Sequence, residues 1–492
     1  MTFDLDGLLK MKKKIIYNSI IYTALGFLFP LGNFLLLPIF TSYLTEAKFG
    51  EFSILNNLNL FTSIIGGLGI SSAVTALYPT YIEEKDLVNR YIGNVMQFTF
   101  LVNLVLFLII LLFGQELFGI IFKSEIGFYP NGLLAISYGL MYNSYFAFLI
   151  FIRLDKRVLQ YAIISIMYFL LIIFSQYYMV AILKWGVYGI FYARFFVTLI
   201  FLCSIFFYFR KFIFKAIDFN KLLKPSLRYS FFIVPTSILT WFMNFSDRFY
   251  IERFIDLGNV GVYSLLFIIC SLSDLVVFSI GSGVQPYLFD YFKDNNKTKI
   301  NAIYKLWVST TVIVISAIIL LGSHLNLIIH KKGYMEIPSY LPIMILGFIF
   351  SAFAYLLNLQ ITYAKKSVYF FKSNLILVML NLVSCYFFVS RFGIWGAVIS
   401  SLLTKFAFNL ISVYYVNKIF STTVNRDLIL FIITTIVVIV FFWMLAFYKI
   451  LSFSTASILQ FFICMIIVGK VMYPYFREFL FKKSHNLLIN KE

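Results

Sequence analysis

Long apolar runs separated by short clusters of charge dominate the chain from about residue 15 to residue 472. A membrane-crossing helix needs about 20 consecutive, predominantly apolar residues, and fourteen runs satisfy that length when each is ended at the nearest charges. They lie near 15–43, 52–78, 92–113, 132–152, 160–182, 187–209, 229–251, 260–288, 302–321, 341–363, 369–389, 394–416, 428–448 and 454–472. The expected fold class is an all-α integral membrane protein with 14 transmembrane helices. Lys10, Lys12, Lys13 and Lys14 precede the first run and imitate a signal peptide. That run far exceeds the roughly 7–15 apolar residues of a signal h-region, so it is expected to be a retained helix.

Basic residues collect on the cytoplasmic side of short loops, which makes the charges a test of the span map. With both termini placed inside, cytoplasmic segments carry 29 Lys and Arg and external loops carry 8. The alternation holds through all 15 segments, and one missed helix would invert it downstream. The three remaining cations, Arg194, Arg248 and Lys405, lie within runs.

Composition removes several function classes. The chain is 61% hydrophobic and only 12% charged over 492 residues, against about 25% charged for a soluble domain. Its longest polar stretch, Arg210 to Arg228, is too short for an attached ATPase, kinase or glycosyltransferase domain. The net charge of +19 reflects loop topology rather than a nucleic-acid surface. Cys203, Cys270, Cys385 and Cys464 all sit in apolar runs without CxxC spacing, so no disulfide framework or metal site is expected.

Two short signatures recur. Gly50, Phe52, Ser53 and Leu55 match Gly261, Tyr263, Ser264 and Leu266 at an offset of 211 residues, and Trp185-Gly186-Val187-Tyr188-Gly189 matches Phe392-Gly393-Ile394-Trp395-Gly396 at an offset of 207. Such recurrences are the trace of duplicated transporter halves. Each half holds six runs, an even number, so the halves are expected to share one orientation, related by an axis along the membrane normal. The resulting domains are 1–228, an N-terminal six-helix bundle; 229–427, a C-terminal six-helix bundle; and 428–492, two further helices and a cytoplasmic tail.

Polar residues inside these runs are the candidate chemistry, because a charge at bilayer depth costs about 2.5–3.5 kcal/mol on insertion scales and persists mainly beside a cavity or partner. At about 100° per residue, Ser237, Thr240, Asn244, Asp247 and Arg248 share a face of the seventh run. Ser271, Asp274, Ser282 and Gln285 share one on the eighth, Asn56, Asn59, Ser63 and Gly67 on the second, and Thr23, Gly26, Pro30 and Asn33 on the first. The expectation is one water-accessible cavity between the halves, with Arg194, Arg248, Lys405, Asn244, Asn56 and Asn59 contacting substrate. Asp274 and Asp247 are expected to couple transport to protons or sodium. The bland alternative for each is helix packing, which small and polar residues also serve in lipid. Gly66, Gly67 and Gly69 are not a phosphate loop, since no Lys-Ser/Thr follows. His324, His330 and His485 fall in loop or tail.

Lys48-Phe49-Gly50-Glu51-Phe52, Gly67-Leu68-Gly69-Ile70-Ser71-Ser72-Ala73, and Ser246-Asp247-Arg248 followed by Gly258-Asn259-Val260-Gly261-Val262-Tyr263-Ser264 resemble the Wzx-type polysaccharide flippases of the multidrug/oligosaccharidyl-lipid/polysaccharide exporter superfamily. Ala76-Leu77-Tyr78-Pro79-Thr80-Tyr81 departs from the pattern by lacking a basic residue often found after the second helix. The resemblance implies two six-helix bundles that alternate in access and pass a polyprenyl-diphosphate-linked oligosaccharide across a bacterial cytoplasmic membrane. It further implies a monomer in membrane lipid, with polysaccharide polymerase machinery as a partner, and no enzyme activity, cofactor, metal or nucleic acid. Arg is the best forked partner for diphosphate oxygens, and three intramembrane cations against two intramembrane acids favour an anionic cargo over a cationic drug. A drug or other lipid exporter of the superfamily and a membrane polysaccharide polymerase are the competing readings; the polymerase fits worse because no large external loop is present.

Overall fold

The computed structural model describes Leu25 and residues 28–489, apart from 82–83, 123–125, 214–217, 232, 295, 326–328, 330, 365, 367 and 420–425. The described residues are helical except for their connections. In chain order the helices are α1 (Leu28–Tyr43), α2 (Glu46–Gly67), α3 (Ile70–Tyr81), α4 (Lys85–Ile121), α5 (Leu133–Leu154), α6 (Val158–Tyr177), α7 (Gly186–Ile213), α8 (Lys224–Ser230) and α9 (Ile233–Phe254). There follow α10 (Leu257–Lys293), α11 (Lys297–Ser323), α12 (Ile337–Tyr363), α13 (Val368–Phe392), α14 (Ile394–Ile419), α15 (Arg426–Phe447) and α16 (Phe453–Ile489).

Eleven of these are long and apolar enough to cross a membrane, twelve if α2 and α3 form one bent span. The protein is therefore a multi-pass helical membrane protein. The difference from fourteen arises at two places. The first predicted span begins in residues outside the description, and only Phe34–Tyr43 of α1 stands as a shorter apolar helix. Helix α9 is 22 residues long, but Asn244, Asp247 and Arg248 dilute its hydropathy, so the polar face that marks it as a candidate site also disguises it as a span.

The second predicted span is not one continuous helix. Leu68 and Gly69 both adopt left-handed backbone, with φ of 46° and 65°, and α2 and α3 meet at a 48° bend. The Leu68 N–H donates to the carbonyls of Ile64 and Ile65, so the orphan end of α2 is closed in the usual left-handed capping manner. A Cβ on Gly69 would lie 3.1 Å from that of Ser230. Glycine suits both the backbone angle and the close approach of α8.

The chain divides into two compact units, one of residues 1–245 with 256–261 and the other of residues 246–255 with 262–492. In the first, α2 packs along α5, and the crossing is tight because Gly139 presents its backbone to Thr62 and Asn59 and Gly67 presents its own to Asn143, while Gly66 lets Asn103 of α4 approach α2. Small residues at close approach are how helices associate in lipid, where no hydrophobic difference drives them together. In the second, α12 packs along α14 and α14 along α13, while α16 packs on α11 through Gln460 Nε2, which donates to Ser316 Oγ at 3.2 Å.

The geometry of the repeat is visible residue by residue. Thr45 caps α2 by accepting from the Lys48 N–H, and Asp256, 211 positions later, accepts from the Asn259 N–H. Gly186 and Gly393, related by the second offset, both have φ of 60°. A Cβ on Gly186 would approach Leu44 and one on Gly393 would approach Ile255, again equivalent residues. Gly50 and Gly261 pack backbone to backbone within the first unit: a Cβ on Gly50 would sit 2.0 Å from the Leu257 carbonyl oxygen, and one on Gly261 2.1 Å from that of Glu46. Glu46 and Leu257 are themselves a repeat pair.

A membrane-topology measurement checks the orientation assigned from charge. A reporter active only outside the cytoplasm is expected to work when fused at Lys331, between α11 and α12, and to be silent at Lys221 and Lys483. Activity at Lys221 would overturn the orientation.

Candidate functional site

Among the described residues, each unit holds one buried arginine. Arg194, on α7, is 2% exposed. Its Nη1 donates to Asn56 Oδ1 at 2.7 Å and its Nε to Gln176 Oε1 at 3.2 Å. The guanidinium lies over the rings of Phe52, Tyr138 and Phe191 at 5.5–5.8 Å. Arg248, on α9, is 4% exposed. Its Nε donates to Ser264 Oγ at 3.2 Å, and its guanidinium sits 4.5 Å from the Phe267 ring and 5.7 Å from that of Tyr263.

The two arginines come from non-equivalent positions yet occupy equivalent places. Phe52 and Asn56 on α2 correspond to Tyr263 and Phe267 on α10 at the offset of 211, so each guanidinium rests on the same turn of the repeated helix. The position equivalent to Arg194 holds buried Ser401, and that equivalent to Arg248 holds buried Leu37. One half thus supplies its cation from its sixth helix and the other from its first. A planar, weakly hydrated cation stacked on aromatic faces is the form of charge least costly to bury.

Asp247 is adjacent to Arg248 but faces elsewhere. At 2% exposure, it accepts from the Tyr263 hydroxyl at 2.5 Å, from the Cys385 thiol at 2.8 Å and more loosely from Asn381 Nδ2 at 3.5 Å. Asn381 Nδ2 also reaches Thr404 Oγ1 at 3.2 Å, its Oδ1 accepts from Ser246, and Ser400 links Ser384 to Cys385. This cluster, drawn from α9, α10, α13 and α14, satisfies the buried Asp247 carboxylate with three donors.

Lys405 and Asp274 are two further charges of the second unit, near enough for one to act on the other. Lys405, half-buried on α14, reaches Ser351 Oγ at 3.4 Å, and its ammonium stands 3.5 Å from the Phe348 ring centre. Gly347 makes this passage possible, since a Cβ there would come within 2.7 Å of Lys405 Cδ. Asp274 on α10 keeps access to solvent but is closely surrounded by protein, and Lys405 is the cation acting on it electrostatically. The equivalent positions in the first half are Ser63 and Thr198, so this charge pair belongs to one half alone.

The predicted polar faces therefore split. On α9, Asn244 is exposed and donates to the Thr240 carbonyl at 3.0 Å, while Asp247 and Arg248 are buried against different neighbours. Asn59 is buried in the α2–α5 crossing, where its backbone oxygen accepts from Thr62 Oγ1 at 3.0 Å. Asn56 holds Arg194. Among the residues expected to contact substrate, the structure leaves Lys405 and Asn244 accessible and packs Arg194, Arg248 and Asn59 inside helices. Thr23 and Gly26, and the side chains of Pro30, Asn33 and Ser282, lie outside the described residues.

Several contributors escaped sequence reasoning: Gln176, Tyr138, Asn381, Cys385, Ser400 and Thr404. Asn381, Ser384 and Cys385 share a helical face at spacings of three and four, as do Ser400 and Thr404, so the periodicity used on α9 applies to them too. Glu51, buried between Lys48 Nζ and Asn131 Nδ2 at 2.7 Å each, was also missed, because it looked like part of an external turn.

Residues 15–292 match the family model described as polysaccharide biosynthesis protein. The chain belongs to this family. No curated protein matches it. Among solved structures, this polysaccharide biosynthesis family member is similar to the lipid II flippase MurJ in an inward closed conformation, at 15% identity and a TM-score of 0.66 over 94% of this chain and 100% of that one. An inward-facing multidrug resistance MATE transporter of the MOP superfamily matches at 14% identity and a TM-score of 0.63, over 80% of this chain and 94% of its own. The Vibrio cholerae MATE transporter VcmN matches at 13% identity and a TM-score of 0.59, over 82% and 95%. The family member thus shares the fold of MurJ and of these MATE transporters.

Proposed function

We propose that the protein is a Wzx-type flippase that carries a polyprenyl-diphosphate-linked oligosaccharide repeat unit across a bacterial cytoplasmic membrane for surface polysaccharide synthesis. Family membership supplies the pathway class. The observation that carries the substrate class is Lys405, a partly exposed cation within an apolar helix. A diphosphate needs such a charge, and a phenyl face beneath it keeps the ammonium oriented without neutralising it. Asn244 offers an amide to sugar hydroxyls, and Arg248 ties α9, the helix that carries it, to α10. Asp274 and Asp247 couple movement to a proton or sodium gradient. The protein works as a monomer with both termini inside and hands its product to a polymerase.

The test is reconstitution into liposomes with a fluorescent polyprenyl-diphosphate-linked oligosaccharide, scored by how much label an external sugar-modifying reagent reaches. Transfer of the internal label outward at a rate set by protein content is expected, and Lys405→Ala should reduce it at least about tenfold, the worth of one charge-assisted contact. Efflux of a cationic dye without movement of the lipid-linked sugar would favour a drug exporter and overturn the reading.

A further inference from the structure

The first unit contains an apolar crevice of about 470 Å³ walled by α5, α6 and α7 and open at its side. Phe151, Ile163, Met167, Leu171 and Phe201 line it, and its polar residues, Arg157, Gln160, Ser204 and Tyr208, include the tight turn between α5 and α6. From Gln160 to Leu171 the α6 wall rises about 17 Å, close to one leaflet's half of a hydrocarbon core about 30 Å thick.

The turn at the crevice mouth is built to hold a guanidinium. Lys156 adopts φ of 58°, a conformation costly for a residue with a side chain, and the N–H groups of Asp155, Lys156 and Arg157 all bond back to α5 carbonyls. Arg157 is ion-paired to Asp155 through Nε, and its Nη1 donates to the Tyr208 hydroxyl at 2.8 Å. Asp155 is braced in turn by the Tyr78 hydroxyl at 3.0 Å. Burial works against the Arg157 charge, but the Tyr208 hydrogen bond and the Asp155 charge outweigh it and hold its pKa above the ordinary value. One face of the guanidinium is thereby fixed, and Nη2 has no partner among the described residues. Arg153 and Lys156, both exposed, leave the turn with an excess of positive charge over Asp155.

We propose that this crevice is a binding site for an anionic phospholipid of the cytoplasmic leaflet, one acyl chain lying along α6 and its phosphate on the free edge of Arg157. An open apolar crevice in a bilayer is filled by lipid chain. The oriented guanidinium seats the phosphate, and the net positive charge of the turn, Arg153, Lys156 and Arg157 against Asp155, selects a headgroup without a compensating cation. The site lies in one unit and involves none of the groups assigned to cargo transport.

Native mass spectrometry of the full-length protein in detergent, with phosphatidylglycerol or phosphatidylcholine added, tests the proposal. Phosphatidylglycerol is expected to bind at least about tenfold more tightly, and Arg157→Gln to weaken both lipids while cutting that preference to about threefold or less. Ser204→Trp, which fills the crevice from an exposed position, should weaken both lipids. Inorganic phosphate alone should not compete at concentrations where the lipid does. Equal binding of both lipids by the wild type, or an unchanged preference in Arg157→Gln, would overturn the site. Displacement of phosphatidylglycerol by equimolar polyprenyl phosphate would reassign the crevice to the cargo's tail. Because the readout is lipid occupancy rather than transport, it is independent of the flippase reading.

Discussion

Arg248→Ala is expected to abolish surface polysaccharide, a loss of more than about a hundredfold, while protein still accumulates in the membrane. The side chain contributes a charged hydrogen bond to Ser264 and a stacked contact with Phe267, worth roughly 1.5–3 and about 2 kcal/mol in a desolvated setting. Removing it leaves the Ser264 hydroxyl without its donor and a void where α9 meets α10. Because the residue is packed rather than presented, this variant should also lower the melting temperature of the purified protein. Lys405→Ala should leave melting unchanged and remove transport alone. Arg248→Lys keeps charge but supplies neither the planar face nor the Nε geometry, so transport of about a tenth of wild type or less is expected. Immunoblotting of membranes, melting curves and polysaccharide staining together separate these outcomes. Wild-type polysaccharide in both alanine variants would remove both residues from the mechanism.

Much of the fold was legible because the bilayer imposes a single strong rule on length and hydropathy. The apolar runs align in order with the helices, and the repeat signatures, short as they are, mark caps and left-handed glycines that recur in three dimensions. The bend after Gly67 was not legible, since the apolar run continues through Ser71 to Tyr78 and only the approach of Ser230 to Gly69 accounts for the break. The same limit applied to the site. Periodicity showed which residues share a helical face, but it does not distinguish a face turned to open space from one turned to a neighbouring helix. Arg194 and Arg248 illustrate this: an intramembrane arginine is expected beside a cavity or a partner, and here the partners are aromatic rings, Asn56, Gln176 and Ser264. Cys385 shows the converse: the sequence assigned it no disulfide or metal role, and its thiol donates to Asp247.

The two candidate coupling acids differ in a way that makes them separable. Three groups, the Tyr263 hydroxyl, the Cys385 thiol and the Asn381 amide, donate toward Asp247. Asp247→Asn replaces one accepting oxygen by an NH2 that must face donors, so it should damage both packing and transport, with a fall in melting temperature and transport reduced about a hundredfold. Asp274 has access to solvent within a crowded surrounding, and Lys405 acts on it electrostatically. Asp274→Asn keeps its shape and hydrogen-bonding capacity but cannot ionise, so melting should be unchanged. If Asp274 exchanges a proton or sodium between states, the variant should lose the component of transport that responds to collapse of those gradients. A coupling free energy of 1–3 kcal/mol corresponds to roughly 5–150-fold in rate or affinity. Liposomes loaded to impose a proton or a sodium gradient, compared with gradient-free liposomes, measure this component directly. Normal transport by Asp274→Asn, with wild-type transport equally indifferent to both gradients, would make Asp274 structural and leave consumption of the exported product as the driving force.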